Sequence, residues 1–215
     1  MGMHTYTYGQ LLAEALRLIF QGSDRVISEK ALDRYRGEAS FNVYLSGMAG
    51  AFNRCMTDLE AKQVTPASSH ALNIGDGEMS GGTVRFRMTD VIPEFAGMRD
   101  LVTEEGGYRL TEYREEGDVL VLPVSYFDEG TVRVLYTKQL PRVSTDTKDD
   151  FPITLPDAVG EWVPYFLSSE VYRSDEPGEA GELRNRYEAA MELLLLSSAP
   201  RGALGVNRLY DMTEV

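Results

Sequence analysis

The residues able to do chemistry are few and scattered. The chain of 215 residues holds two histidines, His4 and His70, and a single cysteine, Cys55. Neither histidine has a second His, a Cys or a carboxylate at metal-ligand spacing, so the sequence asks for no zinc. Cys55 falls among Phe52, Met56 and Leu59 at helical spacing, where a thiol is buried and inert rather than nucleophilic. The glycine-rich stretch 75–82, GDGEMSGG, lacks the Lys-Ser/Thr of a phosphate loop and leads into a strand pattern where a helix N-terminus should stand. It also lacks the spaced ligands and closing Glu of a calcium loop, and reads as a hairpin turn. Glu104, Glu105, Glu112, Glu115, Glu116 and Asp118 cluster about the strand turns. Paired carboxylates are the acid and base of glycosidases, but with no aromatic platform beside them these read as a solvated acidic face. No GxSxG, usable Ser-His-Asp set or CxxC is present. The expectation is a protein that is not an enzyme and needs no cofactor and no metal.

The elements carrying these residues follow from periodicity. The stretch 155–196 reads as two helices across a short acidic turn. Leu155, Val159, Trp162, Val163, Phe166, Leu167 and Val171 share one face of the first, and Leu183, Tyr187, Ala190, Met191, Leu194 and Leu195 one face of the second. Thr154 and Asp157 frame a capping-box start, and Pro164 is expected to kink or break the first helix. Residues 6–20 predict a helix with Tyr8, Leu11, Leu12, Ala15, Leu16 and Ile19 inward, preceded by a start, with His4, that reads as disordered. A short turn at 28–32 and a long helix at 37–62 follow. Beyond residue 66 the period changes to two: strands are predicted at 70–74, 83–88, 108–113, 119–124 and 131–137, with turns at REEGD and YFDEG, while 95–102 is ambiguous. Segregated helices and strands give an α+β fold without βαβ units. The organisation expected is N-terminal helices at 1–66, an inserted antiparallel β block at 67–143, a C-terminal helical hairpin at 144–199 that completes an antiparallel bundle with the first helices, and an extended tail at 200–215.

Composition narrows the function classes. A formal net charge of −13 makes a phosphate-gripping nucleic-acid binder a poor fit, since that affinity comes from Lys and Arg; a protein that repels DNA is compatible with it. One cysteine permits no internal disulfide and fits a reducing compartment. No signal-peptide pattern and no membrane-length apolar run is seen, so no membrane partner is expected. A DNA-mimicking inhibitor is disfavoured by the interleaved arginines and apolar helices.

Several stretches together resemble the head-to-tail adaptor (connector, or gatekeeper) proteins of tailed bacteriophages. They are the opening helix LLAEALRLI at 11–19, the strand V-x-V-x-Y at Val132, Val134 and Tyr136, and the lead-in DDFPITLP at 149–156. The closing helices match at Leu155, Pro156, Asp157, Tyr165, Tyr172, Asp175, Glu182, Tyr187 and Glu188. Layout is similar along most of the chain; local resemblance is confined to 131–191.

What the resemblance implies is a virion protein of the neck or tail, made in the host cytoplasm. It would form a homo-oligomeric ring, commonly a dodecamer, beneath the portal protein. The ring extends the DNA channel and offers a platform to a tail or nozzle protein. Double-stranded DNA would pass along its acidic lumen without sequence-specific contact. The tail residues Leu204, Val206, Leu209, Tyr210, Met212 and Val215 would dock on the portal. Arg17, Arg25, Arg34, Arg36, Arg54, Arg173, Arg184 and Arg186 are the candidates for pairing with acidic loops of the next subunit, and charge reversal at Arg184 and Arg186 is expected to lower ring occupancy without unfolding the monomer. The alternatives are another neck or tail component, such as a tail-completion or baseplate protein, and a small acidic hydrolase.

Overall fold

The computed structural model describes residues 2–65, 67–104, 108–124 and 130–198. Its fold is mixed α and β, with helices and strands segregated along the chain. The predicted first helix forms as α1, Tyr8–Ile19, with the expected six residues buried. Its start is fixed by a T-x-x-Q capping box: the Gln10 amide donates to Thr7 Oγ1 at 3.1 Å, and the Thr7 amide donates to Gln10 Oε1 at 2.9 Å. The residues ahead of it, read as disordered, instead form strand β1, Met3–Thr7. It pairs antiparallel with β9, Pro152–Pro156, in a two-stranded ladder from Met3↔Pro156 to Thr7↔Pro152. Thr154 therefore caps nothing. Its Oγ1 lies 3.1 Å from that of Thr5 across the ladder.

The helix expected from Leu155 onward is displaced by that strand. A single turn, α5, spans Asp157–Gly160, and α6, Val163–Tyr172, begins after it, with Pro164 in its first turn, where no N–H is needed. The kink expected at Pro164 is thus a helix start. The second helix of the pair, α7, spans Pro177–Ser198. Leu183, Tyr187, Ala190 and Met191 are buried as expected, but Leu195 is exposed. Between the two ends lie a short helix, α2, Leu32–Arg36, and the long α3, Ala39–Ala61. One core gathers Leu11, Leu16, Phe41, Phe52 and Met56 with Ile153, Leu155, Phe166, Leu167 and Tyr187. Contacts from distant parts of the chain lock it: the Ser168 hydroxyl lies 2.9 Å from the Ala15 carbonyl oxygen and 2.7 Å from that of Pro164.

The strands 67–138 form two antiparallel sheets. The first has order β2–β8–β5, with β2 Ser68–Asn73, β5 Phe95–Thr103 and β8 Thr131–Lys138. The second has order β3–β4–β7–β6, with β3 Glu78–Ser80, β4 Thr83–Arg87, β6 Arg114–Glu116 and β7 Val119–Pro123. A four-residue helix, α4, Met88–Val91, follows β4. The GDGEMSGG stretch turns on Gly81 and Gly82, both at positive φ (57° and 80°), as a two-residue hairpin turn requires. The strand expected at 108–113 is absent apart from one bridge, Val102↔Arg109. Pairing shifts to β6, inside the stretch read as a turn, because the chain reverses on Gly117 and Asp118 alone. The ambiguous 95–102 becomes the longest of these strands.

The inward side chains of both sheets make a second core, including Leu72, Phe86, Leu101, Leu120, Val132 and Val134. A β-bulge between Met98 and Asp100 takes Arg99 out of the ladder. Its guanidinium donates to Thr137 Oγ1 at 2.9 Å, to the Gln63 carbonyl at 2.7 Å and to the Thr65 carbonyl, tying the end of α3 to the first sheet. Nearby, Glu60 accepts from the Leu140 amide at 2.5 Å and pairs with Arg142 at 2.7 Å. Asn53 exchanges two hydrogen bonds with the backbone of Val143.

Candidate interaction groove

Because β1 runs straight into α1 and β9 into α5, the β1–β9 ladder brings the start of α1 beside α5 and the start of α6. Between them opens a groove of about 530 Å³. His4 and Tyr6 come from β1, and Gln10, Leu11, Glu14 and Leu18 from one face of α1. The opposite wall is Gly160 and Glu161 with Pro164 and Tyr165 at the start of α6. Leu11 and Pro164 are buried, Tyr6 and Tyr165 half-buried, and Glu14 and Glu161 exposed. The floor is thus apolar and aromatic, and the rim acidic. Burial, then the nearby Glu161 and Asp157 carboxylates, raises the Tyr6 phenol above the ordinary tyrosine value. The Trp162 ring sits 5.0 Å from Tyr165, next to this wall. An apolar cleft with a negative rim suits a segment carrying both apolar and cationic side chains.

Gly160 shapes the groove. The Tyr6 ring occupies the space a Cβ at 160 would need. Gly160→Ala is expected to swing Tyr6 outward at a stability cost of about 1 kcal/mol, with the Tyr6 phenol falling back toward 10. An NMR titration of the Tyr6 ring signals checks this; an unmoved Tyr6 would show that the ring is not held there by the glycine.

A second constellation joins α3 to α6 and α7. The Tyr187 hydroxyl donates to Asp58 at 2.7 Å, Lys62 bridges Asp58 (2.5 Å) and Glu188 (3.1 Å), and Arg184 joins Glu188 (2.9 Å) to Glu170 (3.2 Å). Arg54 closes the chain on Glu170 at 2.7 Å. Arg184 also lies over the Phe166 ring, 4.1 Å from its centroid. Cys55 is buried in this region; burial pushes its thiol well above the usual range, and the adjacent Tyr187 works against that shift. The thiol is held protonated.

Six of the eight arginines expected to pair with a neighbouring subunit therefore hold carboxylates of their own chain. Besides Arg54 and Arg184, Arg17 joins Glu14 and donates to the Ile27 carbonyl at 2.8 Å, and Arg25 and Arg34 share Glu38. Arg36 holds Asp149 in a two-point contact and Asp33 at 2.9 Å. The physical reason is proximity, since carboxylates one helical turn away or on a packed neighbour offer the nearest partners. Among the described residues, the side chains of Arg173 and Arg186 have no carboxylate partner. Leu204, Val206, Leu209, Tyr210, Met212 and Val215 lie outside the described residues, as does Glu105.

Among the described residues, the acidic side chains of the strand turns do not gather into one site. Glu104 pairs with Arg133 at 3.3 Å, Glu116 with Arg85 at 2.6 Å, and Asp118 accepts from the Thr89 hydroxyl at 2.8 Å. Among the described residues no group of three or more His, Cys, Asp or Glu is placed to hold a metal ion, and no helix is long and apolar enough to cross a membrane. His4 packs edge-on against Tyr6, and His70 sits within β2. No family model matches the sequence, and no curated protein matches it.

Proposed function

We propose that this chain is a structural protein of a tailed-phage virion, one subunit of the head-to-tail adaptor ring below the portal. The observation that carries the reading is the stretch 131–191, in which the adaptor-like motif residues fall on β8, β9, α5, α6 and α7, with Asp175 in the turn between the last two. In this reading the helices of both ends form one antiparallel bundle, and residues 67–143 are a strand block inserted into it. The Glu60 contacts support an insertion, because they set the exit from α3 beside the returning Leu140 and Arg142. The acidic surplus suits a lumen along which DNA slides without being gripped. Residues 200–215 dock on the portal protein, and a tail or nozzle protein takes the opposite side.

The test is to image the native particle by cryo-electron microscopy and locate the chain. A ring between portal and tail is the expected result; a ring at the distal tail end would favour a tail-completion or baseplate role, and absence from the particle would overturn the reading. A mutational arm follows from the arginine geometry. Arg184 reversal would break two internal ion pairs, so Arg173→Glu with Arg186→Glu is the cleaner pair. It is expected to lower ring occupancy while changing monomer stability by no more than about 0.5 kcal/mol, read by particle imaging and thermal melting. Unchanged occupancy would remove both arginines from the subunit contact.

A further inference from the structure

We propose that the groove between α1 and the α5–α6 wall is the docking site of this chain's own C-terminal segment, residues 199–215, in the unassembled subunit. Position is the first argument. Helix α7 runs antiparallel to α6, as the Arg184–Glu170 pair and the edge-on packing of Tyr187 on Phe166 show. Its C-terminal end therefore lies at the N-terminal end of α6, where Pro164 and Tyr165 form the groove wall. From Tyr187 to Ser198 is eleven residues, a rise of roughly 16 Å, so the helix overshoots the start of α6. On that overshoot Leu193 and Leu196 are 67% and 69% exposed, an apolar path leading off the core. The seventeen residues that follow span up to roughly 55–60 Å when extended, ample to cross the groove.

Charge is the second argument. In a chain of net charge −13, the part of the segment at 199–210 carries Arg201 and Arg208, and its two acids, Asp211 and Glu214, come after them. The groove presents the opposite sign at Glu161, exposed on one wall, and at Asp157, close enough to act on Tyr6, while Glu14 on the facing wall shares its carboxylate with Arg17. Leu204, Leu209 and Tyr210 supply apolar side chains for the floor, and the faces of Tyr6 and Tyr165 are suited to a guanidinium. The inference does not rest on the adaptor reading. Where that reading also holds, the groove keeps the portal-docking segment covered until the portal takes it.

The test uses the full-length chain with His4→Cys and Leu209→Cys, joined by a short bis-maleimide at low protein concentration. Cys55 is buried and does not compete for the reagent. An intramolecular cross-link is expected, in clear excess over a control pair of Met79→Cys with Leu209→Cys, whose first site is exposed in the strand block. Arg201→Glu with Arg208→Glu is expected to reduce it about five- to tenfold, the loss of two exposed ion pairs, and adding Glu14→Arg with Glu161→Arg is expected to restore it. Trp162, the chain's single tryptophan, gives a second readout free of introduced cysteines, with a red-shifted emission in the reversed-charge tail variant. A cross-link between chains would overturn docking within one chain and assign the groove to a second copy. Yield equal to the control would overturn docking of this segment altogether.

Discussion

Replacing Tyr187 by alanine is expected to destabilise the protein by about 3–5 kcal/mol, measured by denaturant unfolding. The residue is fully buried and joins three helices. Its ring packs edge-on against Phe166 on α6, 5.0 Å between centroids, and its hydroxyl donates to Asp58 on α3 at 2.7 Å. Alanine leaves a cavity between these helices and removes a surface flanked by Arg184 and Lys62. Tyr187→Phe keeps the packing and strips only the donor, for an expected cost of about 1–3 kcal/mol. Asp58 would still hold Lys62. A loss for alanine no larger than for phenylalanine would mean that the ring is not a packing element.

The same phenol sets an alkaline limit. Burial, with Cys55 and Asp58 beside it, raises the Tyr187 phenol above the ordinary value of 10. Burial likewise raises Tyr8 to about 12, and burial with the Asp175 hydrogen bond raises Tyr44 to about 12. A group whose pKa is higher in the folded state stabilises the fold fully below its unfolded pKa, and that contribution is lost as pH rises through the folded value. Stability is therefore expected to fall from about pH 10 upward, and Tyr187→Phe to flatten that fall.

The helical elements were legible because their apolar positions repeat over three or more turns, as at Leu11–Ile19 and along α7. Strands β1 and β9 were not. Each has only five residues, and each exists because its partner lies some 150 positions away. Leu155 happens to fit helical spacing with Val159, which does lie in α5, so local pattern carried the helix back over a residue that cross-strand pairing took. Thr5, Tyr6 and Thr7 on one side, and Ile153 and Thr154 on the other, were the available signal, in their preference for extended backbone. The T-x-x-Q box at Thr7 and Gln10 also marked the true helix start. The groove could not be read at all, since half its wall comes from residues 4–18 and half from 160–165. The arginines were visible as charges, but which carboxylate each would meet depends on packing between helices far apart in sequence. Arg36 and Asp149, for example, stand 113 positions apart.

Leu101→Ala gives the second large effect and tests whether the strand block is a separate unit. Leu101 is fully buried on β5, paired in register with Val134, in a core whose members all come from residues 72–136. Truncation is expected to cost about 2–5 kcal/mol. If residues 67–143 are an insertion, that loss stays local: hydrogen exchange in β5, β7 and β8 accelerates, while α1, α3 and α6 shift by no more than about 0.5 kcal/mol. The coupling between the two cores runs through named contacts, chiefly Arg99 on the carbonyls of Gln63 and Thr65 and Glu60 on Leu140 and Arg142. Arg99→Met should therefore loosen the strand block against α3 and leave the strand core itself intact, since Arg99 lies outside that core. Equal acceleration of helices and strands in Leu101→Ala would show one cooperative unit, in which the helices depend on the sheets as much as on each other. An insertion predicts the asymmetry because the two cores share no buried residue: Ile153, Leu155, Phe166 and Tyr187 belong to one cluster with Leu11, Leu16 and Phe52, which the block 67–143 joins through Leu140 and Val143 at its exit.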